Sequence, residues 1–212
     1  HSFPTRRSSD LTLTHAMGFK GVLGGEYNFN RTEASIWKRF WLPASWGKID
    51  CSVKAGAEWN TVPFPLLILP EANLSYITQR ETFCLINNME FLNDRFASMS
   101  ISYDMNGKLF NRIPLLKNLK WREMFRVRAL WGTLTDKNNP FKSSNPDLFR
   151  FPTRDGKFTS FVMDPKVPYV EASVGIYNIF KLLHVEYVHR FTYRDNPGIN
   201  KNGIRFMVLM VF

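Results

Sequence analysis

The chain has 212 residues, enough for one sizeable domain. It is 44% hydrophobic, yet mean hydropathy is only −0.23, so apolar and polar residues must be interleaved. The longest apolar run, Leu66 to Leu69, is bracketed by Pro65 and Pro70. That excludes a spanning helix but not spanning strands, which need about 9–11 alternating residues. The net charge of +10 is spread through strand-like segments, with no basic helix, zinc spacing or RNA-binding signature. No nucleic-acid partner is therefore expected; a basic barrel facing anionic lipid or lipopolysaccharide fits the charge.

Residues 1–11 (His1 to Leu11) resemble translated sequencing-adapter sequence and are set aside as a non-native segment, leaving 12–212 as one domain. From there the organising signal is period two. A partial strand is expected at 12–19 and a weak one at 31–41. In 48–60 the odd positions Ile49, Cys51, Val53, Ala55, Ala57 and Trp59 are apolar or small, and the even ones are polar or Gly. No helix accommodates that alternation. A second weak strand is expected at 75–91. Residues 96–106 alternate Ala97, Met99, Ile101, Tyr103 and Met105 with serines and Asp104. The pattern returns at 125–132, 170–176, 183–194 and 204–212.

Between the strands, Pro43 to Gly47, Asn93-Asp94, Asn178 to Lys181 and Asp195 to Gly198 are turn-like. Three connections are longer: 61–73, 107–120 and 136–167. The second carries Ile113-Pro114-Leu115-Leu116-Lys117-Asn118-Leu119, a short helix with Pro114 in its first turn. The whole is all-β: an antiparallel up-and-down transmembrane β-barrel of about eight or nine strands, which need not be the complete barrel.

Alternation alone also describes a soluble or periplasmic lipid-binding barrel, whose apolar face points inward. Three features favour the outer membrane. Several strands are long, the polar faces mix small and charged residues, and aromatics such as Trp41, Trp59, Trp131 and Tyr177 sit near strand ends. The final strand, Ile204-x-Phe206-x-Val208-x-Met210-x-Phe212, resembles the signal read by the barrel-assembly machinery. Phe206, Val208, Met210 and Phe212 are assigned that role. Counting back from a periplasmic carboxyl terminus puts 107–120 on the periplasmic side. There its helix either plugs the lumen through Leu115, Leu116 and Leu119 or is an ordered connector.

Val62-Pro63-Phe64-Pro65-Leu66-Leu67, Asn93-Asp94-Arg95-Phe96-Ala97-Ser98, Phe110-Asn111-Arg112-Ile113-Pro114-Leu115-Leu116-Lys117 and Pro168-Tyr169-Val170-Glu171-Ala172 resemble one family. It is a Bacteroidetes-type group of outer-membrane proteins of unknown function. Its members join a carboxypeptidase-regulatory-like β-sandwich to a C-terminal barrel. The resemblance implies a place in the outer membrane and a sandwich domain upstream in the intact protein. It does not imply peptidase activity. No His-x-x-Glu pair occurs around His1, His15, His184 or His189, so neither metal nor cofactor is expected.

The best catalytic constellation is His184 and Glu186 on one strand face, with Ser173 and Glu171 on the neighbouring strand. A barrel-embedded hydrolase is the reading it would support. Without a nucleophile motif or an oxyanion-hole glycine pattern, the expectation is a non-enzymatic barrel whose lumen holds these groups as structural polar residues. Cys51 and Cys84 are compatible with a disulfide or with two free thiols.

Overall fold

The computed structural model describes residues 9–75, 77, 82–145, 148–151 and 153–208. Alternation sets the architecture: the main period-two segments become strands, and each pairs antiparallel with the next strand of the main sheet, through connections that range from tight turns to long segments. The strands are β1 (Ser9–Gly18), β2 (Phe29–Trp41), β3 (Lys48–Glu58), β4 (Arg95–Asp104) and β5 (Arg122–Thr133). After a two-stranded flap of β6 (Thr153–Arg154) and β7 (Lys157–Phe158) come β8 (Tyr169–Ile179), β9 (Leu183–Arg190) and β10 (Asn202–Val208). All but the flap form one eight-stranded sheet in the order β1-β2-β3-β4-β5-β8-β9-β10. The fold is all-β and antiparallel, as expected. Among the described residues β1 and β10 do not pair, so the sheet is curved but not closed into a barrel.

β1 begins at Ser9, three residues inside the segment set aside as adapter-like, and pairs Leu11 with Ile36. Of the strand expected at 75–91, residues 76 and 78–81 lie outside the described residues, and the others form no strand. Its described residues instead make turns and isolated bridges, including Ala72 to Phe83 just outside it and Ile77 to Phe206 on the edge strand β10. The reason is that Phe83, Cys84, Leu85 and Ile86 are all buried in succession, which a strand with one wet face cannot do. β9 stops at Arg190, short of the alternation read through Tyr193. There Arg190 Nε and Nη2 take the carbonyls of Thr192 and Tyr193 as the chain turns.

The two rims differ. One carries the tight turns 42–47 and 180–182 and the connection 105–121. The other carries 19–28, 191–201 and the two long segments 59–94 and 134–168. At the turn rim, Ala44, Ser45 and Gly47 have positive φ, and a Cβ on Gly47 would collide with the carbonyl of Asp104. The expected helix is present as α1 (Pro114–Leu119), but none of its residues is buried. Leu115 is 80% exposed and Leu119 is exposed as well, with Leu116 half-buried, so α1 does not plug the lumen. Among the described residues no helix is long and apolar enough to cross a membrane.

Candidate functional site: a charged concave face filled by an inward-folded connection

The strands put opposite chemistries on their two faces. On the convex side Leu11, Ile36, Val53, Val127, Val174 and Ile204 are all exposed. On the concave side Arg126, Arg128, Glu171, His184, Glu186 and Arg190 are all buried. Strand register makes this systematic. One row crosses the sheet as Ser52, Ser100, Arg128, Glu171 and Arg190, each the antiparallel partner of the next.

What covers the concave face is the 59–94 connection. Lys54 Nζ holds Glu71 at 2.5 Å, Arg31 Nη2 donates to the carbonyl of Leu66, and Arg205 Nη2 donates to that of Cys84. The central anchor is Glu171. Its carboxylate accepts the backbone N–H of Cys84 (2.8 Å) and of Leu85 (3.0 Å), the Tyr169 hydroxyl (2.8 Å) and Arg128 Nη1 (2.9 Å). A carboxylate with no exposed surface costs several kcal/mol to desolvate, and this set of donors is what makes its burial tolerable. Beside it, Arg190 clamps Glu90 with two bonds at 2.6 and 3.0 Å, and its guanidinium lies 4.8 Å from the Tyr169 ring centroid.

Apolar packing then seals the loop rim. Phe83, Ile86 and Phe91 pack with Leu130, Met163 and Tyr169, while Val62, Leu67 and Leu92 pack with Leu134 and Phe151. The two long connections are stitched together by Asp94, which takes the Thr135 N–H and hydroxyl and Asn138 Nδ2. Below the inserted segment the concave face keeps a polar cavity of about 420 Å³, lined by Arg39, Asp50, Ser100, Asp104, Arg126 and Tyr177 among others.

The expected constellation is partly assembled. His184 Nε2 lies 3.3 Å from Glu186 Oε2, and Arg126 Nη1 reaches the same carboxylate at 3.1 Å. Gly175, between these strands, is what leaves room: a Cβ there would meet Glu186 Cβ at 3.0 Å and His184 Nε2 at 3.1 Å. Ser173 does not complete a triad. It sits opposite Arg126 and Val188, and Glu171 is committed to the inserted segment. The group that sequence reasoning missed is Cys84. Its thiol points at Glu186 Oε1 (3.7 Å) and accepts from Arg128 Nη1 (3.4 Å). Burial pushes that thiol up to about 11, the cationic arginines opposing. No local signal marks Cys84, because its partners lie 44 and 102 positions away in sequence. Both cysteines are free thiols. Among the described residues no group of three or more His, Cys, Asp and Glu is placed to hold a metal.

Phe206 and Val208 point from β10 to the convex side. Met210 and Phe212 lie outside the described residues.

Fold and site together define a class: an antiparallel β meander turned inside out, with ion pairs within and apolar side chains without. The sequence profile of the C-terminal domain of DUF5686, a family of unknown function, matches residues 2–141, well over half of the chain, and the protein belongs to that family. No curated protein and no solved structure matches it.

Proposed function

We propose that this chain is part of a bacterial outer-membrane β-barrel whose polar lumen is occupied by its own 59–94 connection, and that it acts in structure, interaction or restricted passage rather than in catalysis. The observation that carries the proposal is the inverted polarity. Val53 and Ile36 are 47% and 53% exposed, whereas Arg128 and Arg190 are 2% and 0% exposed. A soluble lipid-binding barrel requires the reverse, since its apolar residues surround the ligand. Lipid supplies what the convex face lacks: fully covering one Val, Leu or Phe side chain contributes about 1.5–3 kcal/mol.

The likeness to the Bacteroidetes-type carboxypeptidase-regulatory-like group belongs to the same proposal, with a sandwich domain upstream and the barrel completed by further strands. Lipopolysaccharide and outer-membrane lipid are then its surroundings. The saturated Glu171, committed to the inserted segment, supports a non-enzymatic reading.

The test compares two neighbouring positions on β3. Val53→Arg should destabilise by about 2–4 kcal/mol at mid-membrane depth, and Ser52→Arg much less. Folding into detergent micelles, followed by heat-sensitive electrophoretic mobility, reads the difference; equal tolerance at both positions refutes the membrane placement. Phe206, Val208, Met210 and Phe212 are proposed as the assembly signal. Deleting Phe212 removes at most about 1.5–3 kcal/mol of burial. The deleted protein should refold in detergent yet fail to reach the cell surface; normal surface levels would leave Phe212 without an assembly role.

A further inference from the structure

The turn rim carries a surface that the inserted segment does not use and that lies outside the sheet except for Arg122, the first residue of β5. Residues 105–122 contain Lys108, Arg112, Lys117, Lys120 and Arg122 and not one acidic residue. Interleaved with them are Leu109, Ile113, Leu115 and Leu119, all of them exposed. Neighbouring turns continue the pattern with Trp46, Phe180 (87% exposed) and Lys181. The opposite rim differs: in 59–94 and 134–168 acidic and basic residues are mixed, as in Glu71, Glu90, Asp94, Asp136, Lys142 and Lys166.

This surface is held in place rather than dangling. Lys108 donates to the carbonyl of Ala44 at 3.1 Å and lies 4.9 Å from the Trp46 ring centroid. Asn178 Nδ2 donates to the carbonyl of Lys120 at 2.7 Å, and Leu109 N–H to Glu123 Oε1 at 2.6 Å. The connection therefore bridges the turns on either side of it, and α1 is presented outward with Leu115 and Leu119 bare. Pro114 at the first helical position and Lys120 in the left-handed conformation at its end delimit that single exposed turn.

We propose that 105–122 is an in-plane docking element for anionic phospholipid head groups, its leucines in the head-group and acyl boundary and its lysines and arginines on the phosphates. The proposal rests on the membrane reading and deepens it. Charge complementarity argues for this occupant: an acid-free basic segment with exposed leucines is the composition that lies in a lipid interface. Each basic group near an anionic surface adds to the attraction, and the effect falls within a Debye length. Short turns of such barrels face the periplasm, where the leaflet is phospholipid.

The full chain is refolded into phosphatidylcholine vesicles with and without phosphatidylglycerol, and insertion is read by vesicle flotation and protease resistance. The wild type should insert into both and favour the anionic vesicles. K117E/K120E should lose about tenfold of that preference while still inserting. L115Q/L119Q should insert more slowly into either vesicle. K142E/K166E, at the other rim, should change nothing. Insertion with no preference for anionic lipid, or an equal loss in K142E/K166E, overturns the docking element and leaves the membrane placement standing. Failure to insert into either vesicle overturns both.

Discussion

The two faces of the sheet are built from the same strands and obey the same period, but they spend their side chains in opposite ways. The convex face is continuous: among the described residues, β-branched and aromatic side chains such as Ile36, Val53, Phe125, Val127 and Val174 stand exposed across it. The concave face is deep and individually wired, so that Glu171, Glu90, Arg128 and Arg190 each have named partners. A residue on the convex face is exposed, and under the proposed membrane placement it is replaceable by any apolar residue of similar shape, because its neighbour is then lipid. A residue on the concave face answers to specific donors and acceptors, because an unmet charge there costs far more than a lost contact. The difference teaches that the outside of this sheet is a solvent specification, whereas the inside is a set of pairings.

The largest effect that could break this contrast is at Arg128. Arg128→Met leaves Glu171 buried without its countercharge and should cost about 3–5 kcal/mol. R128M/E171Q should recover part of the loss, because glutamine sheds the unpaired charge while its single amide oxygen can still accept the Leu85 N–H. Denaturant midpoints of the detergent-folded protein measure both. A negligible effect of Arg128→Met would mean that water replaces the arginine and that the concave face is hydrated rather than wired.

How far was this contrast legible in the sequence? The alternation at 49–59 named the convex residues correctly because a strand imposes its period on every position. It also gathered His184, Glu186 and Arg190 onto one face, which a two-residue spacing guarantees. The inserted segment was not legible. Its burial depends on contacts such as Glu171 to the backbone of Cys84 and Leu85, 87 and 86 positions apart, and backbone amides carry no sequence signature. The described residues of 75–91 form no strand, since Phe83 to Ile86 are buried in succession. The α1 helix was legible from Pro114, but its direction was not: three leucines fit a plug and an ordered connector equally, and only the fold decides that Leu115 and Leu119 are exposed.

A smaller effect sharpens the account of the inserted segment. Glu90→Gln keeps the shape of the Arg190 clamp but removes the charge, and a hydrogen bond to a charged group contributes about 1.5–3 kcal/mol. The loss should be local. Amide hydrogen exchange should quicken across 83–92 and leave the β3–β4 ladder protected. Uniform acceleration across the sheet would show that the segment is not a separable unit resting on the concave face.

The smallest perturbation uses the native thiols, one on each face. Cys51 belongs to the convex set of β3, half-buried among Ile49, Val53 and Ile101; Cys84 is enclosed on the concave side. After insertion into vesicles, Cys51 should react with a lipid-soluble maleimide and resist a charged, water-soluble one. Cys84 should resist both near neutrality, because it is covered and because only the thiolate attacks. Its ordinary value of 9.0 is raised to about 11, so the folded protein binds the proton more tightly than the unfolded chain. The stabilisation linked to that proton is therefore complete below about pH 9 and is lost as pH rises towards about 11. Cys84→Ala should flatten this alkaline loss, whereas Cys51→Ala should leave it in place. Rapid labelling of Cys84 by the charged reagent at neutral pH would show the segment open to water, and the inward-folded connection would then be a lid rather than a filling.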